Sequence, residues 1–237
     1  MNQVDIHTHS IASGHGSSCT IADMAKQAYS VGLSLLGITD HGPATLRSGR
    51  SSYFRSLGMM APRKRCGVEL LYGVELNILD YKGTVDLDSE TLSCLDYAIA
   101  SIHSKNLKPG SRAENTEAYI NAMKNPFVKM IGHCDDAKYD LDYKALVEAA
   151  KDNKILLEIN NSSLSPEGYR GDVTDNYNQL LKWCKEYGMP IILSSDSHGT
   201  SHIGDIKYAE KFALDFGYPA DLIFNYNYYK VKHFLLK

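Results

Sequence analysis

Histidines crowd the amino-terminal end of this sequence. His7, His9 and His15 fall within its first fifteen residues, although the 237-residue chain holds only nine histidines. Residues 4–9, Val-Asp-Ile-His-Thr-His, alternate like a β-strand, so the side chains of Asp5, His7 and His9 face the same way. Neutral imidazoles that converge are typical ligands of zinc, manganese or ferrous iron. The opening of the chain therefore predicts a metal site.

Alternating strands and helices must position these residues. Seven short apolar runs rich in β-branched residues predict strands at 4–6, 35–39, 69–76, 97–102, 128–131, 155–159 and 190–193. Between them, apolar residues spaced i, i+3, i+4, i+7 predict one-sided helices at 21–28, 143–150 and 177–184. Crossover helices between strands imply a parallel sheet. No G-x-G-x-x-G follows the first strand, which disfavours an open dinucleotide-binding sheet and favours a barrel. Because no linker divides residues 1–237, we predict a single domain.

Metal-binding residue types follow six of the seven predicted strands. The carboxyl ends of barrel strands meet on one face, where active sites are assembled, so residues distant in sequence come together there. The nine candidate ligands are His7, His9, His15, His41, Glu75, His103, His133, Asp196 and His198. Two histidines break the pattern: we interpret His233 as structural and leave the role of His202 open.

Nine candidates are too many for one ion. Catalytic zinc sites typically use three protein ligands and keep a position for water or substrate. A carboxylate can bridge two ions, and Glu75 on the central strand is the natural bridge. Shared in this way, the nine residues divide into three sites of three or four ligands, so the count favours three ions over two.

These motifs resemble the polymerase and histidinol phosphatase (PHP) superfamily. The resemblance rests on H-x-H after the first strand, I-T-D-H-G after the second, Glu75 in the third, single histidines after the fourth and fifth, and S-S-D-S-H after the seventh. The A-S-G-H-G loop that carries His15, and L-E-I-N-N-S-S at the sixth strand, are most similar to the small stand-alone bacterial phosphatases of the YcdX type.

The resemblance implies an α/β fold, a distorted seven-stranded (β/α)7 TIM-like barrel, with a trinuclear zinc centre. It implies that His7, His9, Glu75 and Asp196 hold one ion, that Glu75, His103 and His133 hold a second, and that His15, His41 and His198 hold a third. Manganese or iron remain alternatives to zinc. The resemblance also suggests a homo-oligomer, such as a trimer.

Such a centre suits hydrolysis of a small phosphomonoester. Clustered divalent ions neutralise the phosphate oxygens, supply hydroxide at neutral pH and stabilise the leaving alkoxide. We assign catalytic roles to Glu75, Asp196, His198 and Asp40. Asp40 and Asp5 are the groups expected to orient ligand imidazoles through their other ring nitrogen.

Other functions stay open at this point. The substrate could be histidinol phosphate or a nucleotide, or the enzyme could be a nuclease. An amidohydrolase-like C–N hydrolase would instead carry a lysine or glutamate after the fourth strand and a lone aspartate after the last. A non-catalytic metal-bound module would have lost ligands, and all nine positions here are filled.

The composition restricts the kinds of partner and compartment that we expect for this protein. The net charge of −3 disfavours a general nucleic-acid or membrane surface, which needs excess Lys and Arg. We expect a cytoplasmic protein, because no leader or membrane-length apolar segment is evident. Five widely spaced cysteines without a C-x-x-C pair indicate neither a disulfide framework nor a thiolate zinc site.

Substrate contacts are less visible in the sequence. Basic residues concentrate between the second and third strands, and part of this segment could contact phosphate, although solvated surface charge is the simpler interpretation for any one of them. They are Arg47, Arg50, Arg55, Arg63, Lys64 and Arg65. Asn160, Asn161 and Ser162 follow the sixth strand and could bind substrate, orient ligands or cap the local backbone.

Overall fold

Parallel strands and helices alternate along the computed structural model, which describes residues 4–236. The strands are β1 (Val4–Asp5), β2 (Thr8–His9), β3 (Leu35–Ile38), β4 (Lys64–Arg65), β5 (Val68–Asn77), β6 (Tyr97–Ser101), β7 (Val128–Ile131), β8 (Leu156–Asn160), β9 (Ile191–Ser194) and β10 (Ser197–His198). The helices are α1 (Ile21–Ser30), α2 (Ser51–Met60), α3 (Ser89–Leu92), α4 (Arg112–Ala122), α5 (Tyr143–Asn153), α6 (Asn161–Leu164), α7 (Thr174–Glu186), α8 (Lys207–Asp215) and α9 (Tyr228–Leu235). Short 3-10 helices cover Ile11–Ser13, Ala220–Leu222 and Phe224–Tyr226.

Seven strands form a nearly closed parallel barrel in the order β1-β3-β5-β6-β7-β8-β9. This arrangement confirms the predicted α/β barrel. β1 and β9 are the two ends of this order and do not pair with each other as neighbouring strands; we call the junction between them the seam. There, the Asp5 carboxylate accepts hydrogen bonds from the Ser195 hydroxyl at 2.6 Å and the Gly204 amide at 2.8 Å. Beyond the seam, β2 and β10 form a separate parallel pair that sets His9 opposite His198.

The predicted first strand is wrong in one respect, because the chain leaves the barrel sheet after Asp5 and pairs again only at Thr8. The break lets β1 pair with β3 while β2 pairs with β10. His7 lies in this break. Two further short strands, β4 and β10, were not predicted, since two-residue strands leave no periodic signal.

Apolar side chains from all seven barrel strands fill the interior. This cluster contains Val4, Ile6, Leu35, Leu71, Tyr97, Ile99, Met130, Leu156 and Ile192, and it is joined by Val231 and Leu235 of α9. The carboxyl-terminal helix therefore covers the amino-terminal end of the barrel, and the opposite end is left for polar residues. Outside the barrel, the predicted helices α1, α5 and α7 bury the expected residues, such as Met24, Leu146 and Leu180.

Within residues 4–236, no helix combines the length and the apolar content that crossing a membrane requires.

Candidate metal centre

The seven predicted histidine ligands meet at the carboxyl-terminal end of the barrel. Their rings form a continuous series of contacts, with centroid separations of 4.2 Å for His9 and His198 and 5.1 Å for both His7–His9 and His103–His133. His41 lies between the two halves, 4.4 Å from the His9 ring and 5.1 Å from that of His103. Residues from opposite ends of the sequence thus share one polar cluster.

Glu75 lies at the middle of this cluster and is fully buried. Its Oε1 atom is 2.8 Å from His133 Nε2, 3.4 Å from His103 Nε2 and 3.5 Å from His7 Nε2. Its Oε2 atom is 2.6 Å from His41 Nδ1 and 3.6 Å from His9 Nε2. The two oxygens therefore face different sets of imidazoles, as a carboxylate shared by two ions requires.

Many polar atoms of the cluster have no hydrogen-bond partner. Among the described residues, eleven buried side-chain nitrogen or oxygen atoms lack a correctly directed partner, and seven of them belong to His7, His9, His41, Glu75, His133 and His198. Glu75 Oε2 and His41 Nδ1 are among the seven although they lie 2.6 Å apart, because the contact lacks hydrogen-bond geometry. An unpaired buried polar atom is costly, so native proteins rarely tolerate several together without a bound species. Nitrogen and carboxylate donors suit zinc, manganese or iron. The residues present therefore fit a metal centre.

Three groups of ligand atoms are compact enough to hold an ion, each with all its atoms within 4.8 Å of one another. They are His7, His9 and Glu75; His41, Glu75 and His103; and His9, His41 and His198. The first contains three of the four residues of the first set implied by the family resemblance. The second joins Glu75 and His103 of the second set to His41, and the third joins His41 and His198 of the third set to His9. His15 belongs to none of the three groups, but its ring stacks on His41 at 4.9 Å and lies 5.2 Å from that of His198.

Asp196 reaches the cluster from the loop between β9 and β10. Its Oδ1 atom is 3.1 Å from His9 Nε2 and 3.7 Å from His7 Nε2. Its other oxygen accepts hydrogen bonds from Arg170 Nη2 at 2.9 Å and Asn160 Nδ2 at 3.1 Å. One oxygen is thus held by the protein, and the other is turned towards the imidazoles.

The PHP domain family matches residues 5–162 of this sequence. The chain belongs to the PHP family. A probable phosphatase of Clostridium novyi (strain NT) is 40% identical over 94% of this chain and 89% of its own length. A probable phosphatase of Clostridium botulinum (strain Langeland) is 38% identical, with coverage of 98% and 93%. These relatives confirm the predicted family, and their names agree with the predicted enzyme class.

A solved structure is also similar in fold. A histidinol phosphate phosphatase of Lactococcus lactis, solved with zinc, L-histidinol and phosphate, superposes with a TM-score of 0.61 at 19% identity. The match covers 92% of this chain and 95% of that one. At this identity the likeness shows the shared PHP barrel only.

Asp40 contacts the candidate ligand His9 indirectly, through Ser13. Its carboxylate accepts hydrogen bonds from the hydroxyls of Ser10, Ser13 and Tyr53 at 2.6–2.7 Å. The Ser13 oxygen lies 2.8 Å from His9 Nδ1, so Asp40 acts on His9 through Ser13 and not by the direct contact expected from the sequence. Asp5 differs from the expectation too, since its carboxylate binds Ser195 and Gly204 at the barrel seam.

The sequence did not single out Glu158 or Arg170 as site residues. Glu158 is fully buried, and its Oε1 atom accepts a hydrogen bond from His7 Nδ1 at 2.8 Å. Arg170 is 4% exposed and binds Asp196. A signal for Glu158 existed, because an acidic residue inside the apolar run Leu-Leu-Glu-Ile needs a buried partner. Arg170 lies in a loop without periodicity, so nothing in the sequence marked it.

Charge coupling within the cluster shifts the pKa values of its members. Burial opposes ionisation of Glu75, yet the imidazoles of His41, His7 and His103 hold its pKa well below the ordinary value. Burial, followed by the neighbouring His198 and His41, holds the pKa of His9 well below the ordinary value. Glu75 is therefore an anion at neutral pH and His9 a neutral imidazole, which are the forms that bind metal.

The other predicted residues lie around this centre. Asn161, Ser162 and His202 line a cleft of about 460 Å³ that also reaches Asp196 and His198. Arg55 and Arg63 instead pair with the carboxylates of Glu90 and Asp96. These pairs agree with the interpretation of surface charge for those two arginines. His233 lies on α9, at the other end of the barrel.

Proposed function

We propose that this PHP protein is a metal-dependent phosphatase that hydrolyses a small phosphomonoester at a centre of three divalent ions, with zinc as the first choice. The observation that carries the proposal is the cluster of predicted ligands around the buried Glu75 carboxylate, in which six of them, Glu75 included, together have seven unpartnered buried atoms. When bound, the ions neutralise phosphate oxygens and supply hydroxide at neutral pH. The ligand set would be His7, His9, His15, His41, Glu75, His103, His133, Asp196 and His198.

The residues of the chain prepare this site in distinct ways. Glu75 offers its two oxygens to different imidazole groups, which supports a bridging role. Asp196 offers one oxygen and is held at the other by Arg170. Asp40 fixes His9 through Ser13, so that Nε2 is left free to bind an ion. His198 contributes an unpaired Nε2 beside the cleft, where substrate can enter.

The cleft supports a small substrate. Its volume of about 460 Å³ lies within the range of small-molecule sites, and both Asp196 and His198 line it. Its walls include Glu167 and Asp205 as well as Lys207, so they lack the excess of cations that a nucleic-acid phosphate backbone would need. The alternative of a C–N hydrolase is disfavoured, because His103 takes the place of a bridging residue after the fourth predicted strand.

The decisive experiment measures metal content and phosphate release in one preparation. We expect close to three ions per chain, hydrolysis of an aryl phosphate, and a preference among phosphorylated metabolites that include histidinol phosphate and nucleotides. A chelated, metal-free sample should be inactive and should regain activity with zinc or manganese. Full activity without metal would refute the mechanism. The cytoplasmic location and the homo-oligomeric state, such as a trimer, stay predictions that fractionation and light scattering can test.

A further inference from the structure

β8 is the barrel strand whose carboxyl end supplies no candidate ligand, yet it carries polar side chains into the centre. Glu158 and Asn160 are both fully buried and lie on this strand. We propose that β8 positions the ligands of other strands, with Glu158 as the positioning residue that aligns His7 and His133 together. The inference rests on the proposed metal centre and concerns a residue outside its ligand set.

The contacts of Glu158 reach two different parts of the centre. Oε1 accepts a hydrogen bond from His7 Nδ1 at 2.8 Å. Oε2 accepts one from the backbone amide of His133 at 2.7 Å and one from Asn160 Nδ2 at 3.1 Å. A carboxylate can only accept, so a proton of His7 must lie on Nδ1, and in the neutral imidazole that binds metal this leaves Nε2 free for an ion. The Oε2 atom faces two N–H donors, which suits the carboxylate form of Glu158.

The backbone of the held ligands shows why they need support. His133 has φ +26° and Asp196 has φ +53°, left-handed conformations that cost energy for residues other than glycine. Both are held from β8: the His133 amide by Glu158, and the Asp196 carboxylate by Asn160. Asn160 Nδ2 also bonds Glu158, so one network supports ligands that follow β1, β7 and β9.

The test compares Glu158→Gln with Glu69→Gln. The oxygen of a glutamine can accept a hydrogen bond from only one of the two donors, His7 Nδ1 or the His133 amide. Its NH2 group then faces the other donor. If the NH2 group faces His7, it favours the tautomer with the proton on Nε2. The control removes the same charge at the start of β5, where Glu69 binds Lys232 at 2.8 Å, far along the strand from Glu75. Zinc affinity is measured by competition with a chelator, and the His7 tautomer by 15N NMR of the zinc-loaded proteins.

We expect Glu158→Gln to need about 10–100-fold more free zinc for half-occupancy, as is typical when a group behind a metal ligand is lost. We also expect a changed His7 15N spectrum, with neither change in Glu69→Gln. Wild-type zinc affinity together with a wild-type His7 spectrum would overturn the role. If Glu158→Gln does not fold, the wild-type spectrum decides, because a His7 proton on Nε2 in the loaded protein contradicts the proposal and one on Nδ1 supports it.

The readouts separate this inference from the proposed function. A wild-type protein that binds zinc but releases no phosphate would refute the proposed phosphatase activity. Weakened zinc binding in Glu158→Gln would still support the positioning role. If the wild-type protein is active and Glu158→Gln keeps the wild-type zinc affinity and His7 tautomer, only the positioning role is refuted.

Discussion

A single carboxylate organises the centre at the scale of residues. Glu75 has oxygens within 3.6 Å of nitrogens on five different imidazoles, from residues 7, 9, 41, 103 and 133. Neutral imidazoles give this buried anion little compensating charge, and divalent ions bound between the imidazoles and the carboxylate would supply it. The arrangement of the candidate ligands therefore depends on Glu75 more than on any single histidine.

Glu75→Gln should remove the bridge with little change in volume. We expect loss of at least one ion and a fall in phosphate release larger than the roughly 10–100-fold that follows loss of a group behind a ligand. Metal analysis and initial rates check both, with Glu69→Gln on the same strand as the control. A variant that keeps its full metal content and rate would show that Glu75 does not bridge.

His15 is the residue most telling for a third ion. It lies outside the compact ligand groups but beside His41 and His198, on a loop flanked by Gly14 and Gly16 at φ +83° and +74°. Because the proposed third site includes His15, His15→Ala should lower the metal content by one ion per chain and leave the other two in place. Metal analysis of the purified variant measures this, and an unchanged content would mean that His15 holds no ion of its own.

At the scale of elements, the seam of the barrel decides where two ligands lie. The ladder of β2 and β10 is only two residues long, yet it fixes His9 opposite His198. The neighbouring link is the buried carboxylate of Asp5, which accepts hydrogen bonds from both the hydroxyl and the amide of Ser195. These contacts help to hold the first and last strands of the barrel together.

Asp5→Ala tests the seam. The Ser195 hydroxyl and amide would lose their buried acceptor, which costs about 1–3 kcal/mol for a hydrogen-bonding group left unsatisfied. We expect urea unfolding to show a loss of this size, together with weaker binding of the ions that His9 and His198 would hold. A loss below about 0.5 kcal/mol, the size of an ordinary surface change, would contradict the structural role.

At the scale of the whole molecule, the candidate ligands tie together strands from all around the barrel. His7 and His9 adjoin its first strand, and Asp196 and His198 follow its last, so ions held between them would connect the two strands across the seam. Ligands that bind the folded state and not the unfolded one stabilise folding by mass action. Metal occupancy should therefore be visible in global stability as well as in activity.

Chelation should lower the melting temperature. One site filled at 100 times its dissociation constant contributes about 2.7 kcal/mol. For a domain of this size, that corresponds to a shift of roughly 5–10 °C. Scanning calorimetry before chelation, after it and after return of zinc would measure the change. A melting temperature that is the same in all three samples would argue against ions bound at this face.

Much of the architecture could be predicted from the sequence. Periodicity marked all seven barrel strands and the helices α1, α5 and α7, because a strand buried on both faces and a one-sided helix each leave a regular apolar pattern. The candidate ligands were visible because histidines recurred at the strand ends, where barrel topology brings them together. The structure brings all seven predicted histidines into one series of ring contacts, and their binding of metal stays a prediction.

Only the tertiary structure decided how the ligands are grouped and what holds them. Residues far apart in the chain are joined by the pairing of β2 with β10, which follows the break after Asp5, and by the contacts of Glu158 and Arg170. No local pattern records such pairings, because hydrogen bonds across a barrel depend on register and loop path. Residue types and spacing thus predicted a metal site at the strand ends, and three-dimensional packing determined which side chain orients each candidate ligand.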